Sequence, residues 1–210
     1  VLVDGFGSYD EDITNEKFLD LIRTLIIDEN WNPRLSDYIK KRETEGKPLS
    51  WYDEMALQQG AASSLLEISF SLEEGKIKDK FSALAVGDSC MFQVRENEII
   101  TKFPLSSSSD FDNSPLLISS DPNRNEHLLE KISYLEDQDL KSNDKILLMT
   151  DALSSWFFQE CEKGNNPEEI ISEHISDKKR FEIWIDELRE NKLIRNDDVT
   201  LLILTIRGDC

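Results

Sequence analysis

Leu66, Ile68, Phe70 and Leu72 alternate with Glu67, Ser69 and Ser71. A period of two puts the apolar set on one face of a strand and the polar set on the other, so this segment has one buried face. Glu73-Glu74-Gly75-Lys76 then reads as a hairpin turn, and Phe81 to Val86 as its partner strand. That strand runs into Gly87-Asp88-Ser89. Met91 to Val94 and Glu98 to Thr101 pair around a turn at Arg95 to Asn97. Consecutive strands joined by short turns predict an antiparallel sheet, because parallel strands need a long crossover.

Helical periods flank this β-rich centre. Thr14 caps a helix whose apolar face is Phe18, Leu21, Ile22, Leu25 and Ile26. A second helix is expected from about Ser50 to Gln59, ended by Gly60. Leu153 to Glu162 reads as helical, and Phe181, Trp184, Ile185 and Leu188 form a further helix stripe; Trp156 and Trp184 on these stripes are assigned to the core. Val1 to Val3, Ile132 to Leu135 and Ile146 to Met149 read as short strands. Val199 to Ile206 is apolar on both faces and reads as a strand buried inside a sandwich. Residues 104–126, with four consecutive serines, read as a long mobile loop. No repeat or linker interrupts the chain, so residues 1–210 are read as one α+β domain. The chain opens on Val1 rather than Met, which points to an upstream segment in the natural protein.

Acidic residues outnumber basic ones 43 to 24, a net charge of -19. Such a surface repels nucleic acid and anionic membranes, so neither is expected as a partner. It suits divalent cations and basic substrates. Cys90, Cys161 and Cys210 are widely spaced without a CxxC pair, which suits a reducing, cytoplasmic setting. No apolar run approaches the roughly 20 residues of a membrane helix.

The chemistry-bearing residues are aspartates. With His127 and His174 as the two histidines, no GxSxG elbow and no glycine-rich phosphate loop, a metal site here has to use oxygen donors, which selects magnesium or manganese. His174, in an expected helix, is assigned a structural or surface role. Asp4, Asp88, Asp151 and Asp197 each stand where an apolar strand meets solvent. Rigid strands holding short carboxylates at one edge are what a metal centre needs, and Gly5 adds a backbone carbonyl that no side chain blocks. Two ions about 3.5–4 Å apart activate a bridging water for attack on phosphorus. Aspartate also ends strands simply as a turn former, and spacing alone leaves both readings open.

Five segments sharpen the choice. They are Val1-Leu2-Val3-Asp4-Gly5-Phe6-Gly7-Ser8, Gly60-Ala61-Ala62-Ser63, Ala85-Val86-Gly87-Asp88-Ser89 with Met91-Phe92-Gln93-Val94, Met149-Thr150-Asp151-Ala152-Leu153, and Asn196-Asp197-Asp198-Val199-Thr200. In this order they resemble the signature motifs of the metal-dependent type 2C protein serine/threonine phosphatases, and the short loops resemble the compact bacterial branch. The resemblance implies a four-layer sandwich, two packed antiparallel sheets flanked by helices. It implies two or three magnesium or manganese ions. Asp4 would bridge two of them, Gly5 would bind one through its carbonyl, and Asp151 and Asp197 would complete the pair. Asp88 would hold a third ion with Asp151, and Asp198 would stand behind the ligands. The implied substrate is a phosphorylated protein, with a kinase or regulatory protein as partner.

The chain departs from the family pattern at Phe6, where many relatives carry a histidine proposed as general acid, and at Ala152, where a glycine is usual. The family's phosphate-binding arginine and one acidic ligand lie upstream of the first motif. The alternative expectation is therefore a phosphatase-like binding or regulatory module with impaired catalysis. A hydrolase of small phosphoesters on the same metal site is a third.

Overall fold

The computed structural model describes residues 23–73, 76–112, 114–128 and 130–207. The predicted first strand and the helix carrying Phe18, Leu21 and Ile22 lie outside them. Two compact units emerge. One holds the described residues up to Ser63 together with Leu117–Ile132; the other holds Ser64–Leu116 and the residues from Ser133 onward.

In the first unit, a π-helical run Arg23–Trp31 passes into helix α1, Asn32–Thr44. Helix α2, Trp51–Gln59, matches the sequence reading closely. Its start is a reciprocal cap: Asp53 N donates to Ser50 Oγ at 3.2 Å, and Ser50 N donates to Asp53 Oδ2 at 2.9 Å. Arg42 of α1 donates to the same carboxylate at 3.0 Å, which ties the two helices together. A two-residue strand β1, Ala62–Ser63, pairs with β6, Ile118–Ser119.

The second unit contains β2 (Leu65–Glu73), β3 (Lys76–Val86), β4 (Cys90–Arg95), β5 (Glu98–Phe103), β7 (Ser133–Asp139), β8 (Lys145–Met149) and β9 (Leu201–Thr205). Its helices are α3 (Asp151–Glu162), α4 (Pro167–His174) and α5 (Lys178–Glu190). The predicted hairpins are present, and the turn at Glu96 and Asn97 takes positive φ at both residues (51° and 66°), the geometry that matches strand twist in tight hairpins. The successive strands do not share one sheet, however. β2 and β3 lie in a three-stranded sheet of order β2-β3-β7, while β4 and β5 belong to a four-stranded sheet of order β5-β4-β8-β9, all neighbours antiparallel. Gly87-Asp88-Ser89 is the crossover between them.

The two sheets pack face to face. Phe81, Ala83 and Ala85 of β3 meet Met91, Phe103 and Ile146 of the other sheet and Ile206, which follows β9. The opposite face of the four-stranded sheet, with Phe92 and Leu147, is covered by Leu153, Trp156 and Phe157 of α3, Ile171 of α4, and Trp184, Ile185 and Leu188 of α5. Both tryptophans assigned to the core are there. The fold class is therefore α+β, with antiparallel sheets packed together and helices outside. β9 is shorter than the expected Val199–Ile206; among the described residues it pairs with β8 alone, and Leu202 is 41% exposed. Residues 104–126 include strand β6 and short helical turns at Ser108–Asp110 and Pro122–Arg124.

One polar cluster lies within this sandwich. The Asp144 side chain is fully buried. Its Oδ1 accepts from Arg95 Nε at 2.8 Å, and its Oδ2 accepts from Arg95 Nη2 at 2.7 Å, Gln93 Nε2 at 2.9 Å and the Lys141 amide at 2.9 Å. Burial pushes its carboxyl up, but the Arg95, Lys141 and Gln93 donors outweigh this and hold it below its ordinary range. Removing one partner of a buried ion pair strands the other, so Asp144→Ala should lower stability by about 3 kcal/mol in urea unfolding. Because the folded-state pKa is depressed, this stabilisation is complete above the ordinary carboxyl range of about 4. It is lost as pH falls through the lower, folded value, so wild type should lose more stability than Asp144→Asn over that acid range.

Candidate metal centre

Strand register determines which chain ends meet. Cys90 pairs with Met149, and Met149 pairs with Leu201. The residues beyond these three positions emerge at the same end of the four-stranded sheet: Asp88 before β4, Thr150 and Asp151 after β8, and the Arg195–Thr200 segment before β9. Three of the four expected aspartates thus come from adjacent strands. Asp4 and Gly5, together with Phe6, lie outside the described residues.

The crossover carrying Asp88 is tightly built. Gly87 has φ +102°, and a Cβ there would stand 2.8 Å from Ser64 Cβ and 3.1 Å from the Leu116 carbonyl oxygen. The Ser64 and Ser89 hydroxyls are 2.8 Å apart. Asp88 is half-buried as a result. On the next strand, Thr150 is the N-cap of α3 and Asp151 its first residue. Thr150 N donates to the Thr200 carbonyl at 3.2 Å; its Oγ1 donates to the Asp198 carbonyl at 3.0 Å and accepts from Thr200 N at 3.0 Å. The start of α3 and the entry to β9 are thereby stitched together.

Charge accumulates at this end. Burial raises the Asp88 carboxyl above its ordinary range, and Asp151 and Asp112 push it further, while Arg195 opposes them. Asp88 and Asp151 are therefore electrostatic neighbours. Asp197 is exposed, and its Oδ1 accepts from the Asp198 amide at 2.8 Å. Among the described residues, no group of three or more His, Cys, Asp or Glu side chains gathers closely enough to hold an ion. The neighbouring pair Asp88 and Asp151 offers hard oxygens of like charge, one of them partly withdrawn from water, and this chemistry fits a divalent cation rather than a soft metal. Arg195 and Asp112 were not singled out from sequence. Arg195 lies two residues before Asp197, but Asp112 sits in the serine-rich segment, where no period or motif marks it.

Other candidates fall away. His174 stacks on Trp184 with ring centroids 4.9 Å apart, and its Nδ1 lies 2.7 Å from the Ile170 carbonyl, a structural placement as expected. A cavity of about 380 Å³ opens beside His174, Arg180, Ile183 and Trp184, and none of the expected metal ligands lines it. No helix among the described residues is long and apolar enough to cross a membrane.

Two similar solved structures are both of the phosphatase domain of the cell fate determinant SpoIIE from Bacillus subtilis, one of them presoaked with manganese. The first is 17% identical and covers 99% of this chain and 80% of that one, with a TM-score of 0.38. The manganese-presoaked structure is also 17% identical, covers 98% and 79%, and has the same TM-score of 0.38. A TM-score at this level does not establish a shared architecture. No protein-family model matches the chain, and no curated protein matches it.

The packing at Gly87 gives a direct test of the crossover. Gly87→Ala adds a methyl group against backbone and β-carbon at a positive φ, and should cost about 2 kcal/mol or more in urea unfolding.

Proposed function

We propose that this chain is a metal-dependent phosphoester hydrolase that removes phosphate from phosphoserine or phosphothreonine on proteins. The observation that carries this reading is that Asp88, Asp151 and the Asp197 turn emerge at one end of adjacent strands, with Asp88 and Asp151 as electrostatic neighbours. In this reading Asp151 and Asp197, with Asp4 and the Gly5 carbonyl, hold two magnesium or manganese ions, and Asp88 with Asp151 holds a third. The ions, when bound, supply Lewis-acid polarisation of the phosphoryl group and a water acidic enough to attack it.

The protein's own groups do the rest. The β4 and β8 ends fix where the carboxylates start, and the Thr150 hydroxyl holds the Asp197–Thr200 segment beside Asp151. The acid excess of the chain attracts cations and basic stretches of a phosphoprotein. A kinase that makes the phosphoprotein, or a protein that regulates the site, is the partner this activity calls for.

Phe6 motivates a second reading, a phosphatase-like module that binds metal or partner without full turnover, because the residue many relatives use to protonate the leaving group is replaced by a hydrocarbon ring.

Hydrolysis of a small aryl phosphate by the full chain should require manganese, stop in excess chelator, and fall about 100-fold or more in Asp151→Asn. Turnover that persists in chelator would overturn the metal reading. Manganese binding by calorimetry without turnover would favour the second reading, and a preference for sugar phosphates over phosphopeptides would redirect the substrate assignment.

A further inference from the structure

Arg189 stands in the last turn of α5, away from every motif in the sequence. Its Nη2 donates to the Asp197 carbonyl at 2.7 Å, and its Nη1 donates to Asp186 Oδ1 at 3.1 Å. The next carbonyl along, that of Asp198, accepts from Thr150 Oγ1 at 3.0 Å. Two consecutive carbonyls are thus gripped by side chains from two different elements, the end of α5 and the cap of α3. Just before them the Asp197 amide closes a turn onto the Arg195 carbonyl at 3.0 Å. The main chain on either side of the Asp197 Cα therefore has little freedom, although its carboxylate is at the surface.

A plain surface arginine at a helix C-terminus would satisfy its charge with solvent and the helix carbonyls. Arg189 instead leaves its Nε buried without a hydrogen-bond partner while its two terminal nitrogens bridge Asp186 and Asp197. A planar fork with two donors at a fixed spacing makes this bridge; the single ammonium of a lysine does not reproduce it.

We infer that Arg189 is a positioning residue: with Thr150 it clamps the Arg195–Asp198 turn and so sets where the Asp197 carboxylate stands relative to Asp151. This rests on the reading of Asp197 as a metal ligand. It adds a residue that touches neither metal nor substrate, and it makes α5 part of the metal centre through one hydrogen bond to a main-chain carbonyl. Groups that orient ligands from behind in this way are worth about 10- to 100-fold in metal affinity.

The test uses the full chain with manganese as the probe. Calorimetry should show manganese binding weakened at least about 10-fold in Arg189→Ala and in Thr150→Val, with Thr150→Ser close to wild type and Arg189→Lys intermediate. Amide hydrogen exchange without metal should quicken at Asp198 and Thr200 in the two damaging variants and stay unchanged in β4. Faster exchange with unaltered manganese affinity would leave Arg189 a purely structural residue and overturn the inference. Unchanged exchange and unchanged affinity would overturn it as well. A wild-type chain that binds no manganese would instead remove the metal reading on which it stands, and the two failures are distinguishable.

Discussion

β4 and β8 are buried on both faces, and that constraint governs everything at the acidic end of the molecule. Phe92 and Leu147 face the helices, while Met91 and Ile146 face the three-stranded sheet; all four are fully buried. A slip of one residue along either strand would exchange these sets between two differently shaped layers. The pairing of Cys90, Met149 and Leu201 is therefore fixed by packing far from the carboxylates themselves. Asp88 and Asp151 are brought near each other because hydrophobic side chains on two faces leave the strands no other register. The mutual repulsion of the two carboxylates is sustained by that packing.

The four-stranded sheet treats charge differently at its two ends. At one end Asp144 is matched by Arg95, and Lys145 reaches Glu168 at 2.6 Å. Those carboxylates have cationic partners and several hydrogen bonds, and Asp144 is correspondingly held in its charged form. At the other end burial and the acidic neighbours of Asp88 outweigh a backbone hydrogen bond and Arg195, and its carboxyl is displaced in the opposite direction. Opposite displacements of a buried and a half-buried aspartate at the two ends of one sheet separate a charge that stabilises the fold from one that is left in excess.

The sequence was legible where a period coincided with burial. The alternation of Leu66, Ile68 and Phe70 marks β2, and the Phe181, Trp184, Ile185 and Leu188 stripe marks α5. Thr150-Asp151-Ala152 after Ile146 to Met149 places an aspartate at a strand end. A period tells which face of a strand is buried but not which strand lies beside it, and so the passage from one sheet to the other at Gly87 was invisible. α1 was missed for a related reason: it buries none of its residues, and its apolar stripe is only Leu35, Tyr38 and Ile39 among polar neighbours. At the candidate centre, the motif aspartates could be named in advance, whereas Arg189 could not. Its contact is to a carbonyl, which carries no sequence signature, across a turn whose shape has to be known first.

The placement of Asp151 at the first position of α3 has an electrostatic corollary. The aligned peptide dipoles of a 12-residue helix leave roughly half a positive charge at its N-terminus. A cation drawn to Asp88 and Asp151 would approach that pole from the front. The repulsion from the pole and the attraction of the carboxylates both scale with the ion's charge, so the pole lowers the net attraction of any cation in the same proportion. The orientation of α3 thus sets how much negative charge this end must gather before it can hold an ion.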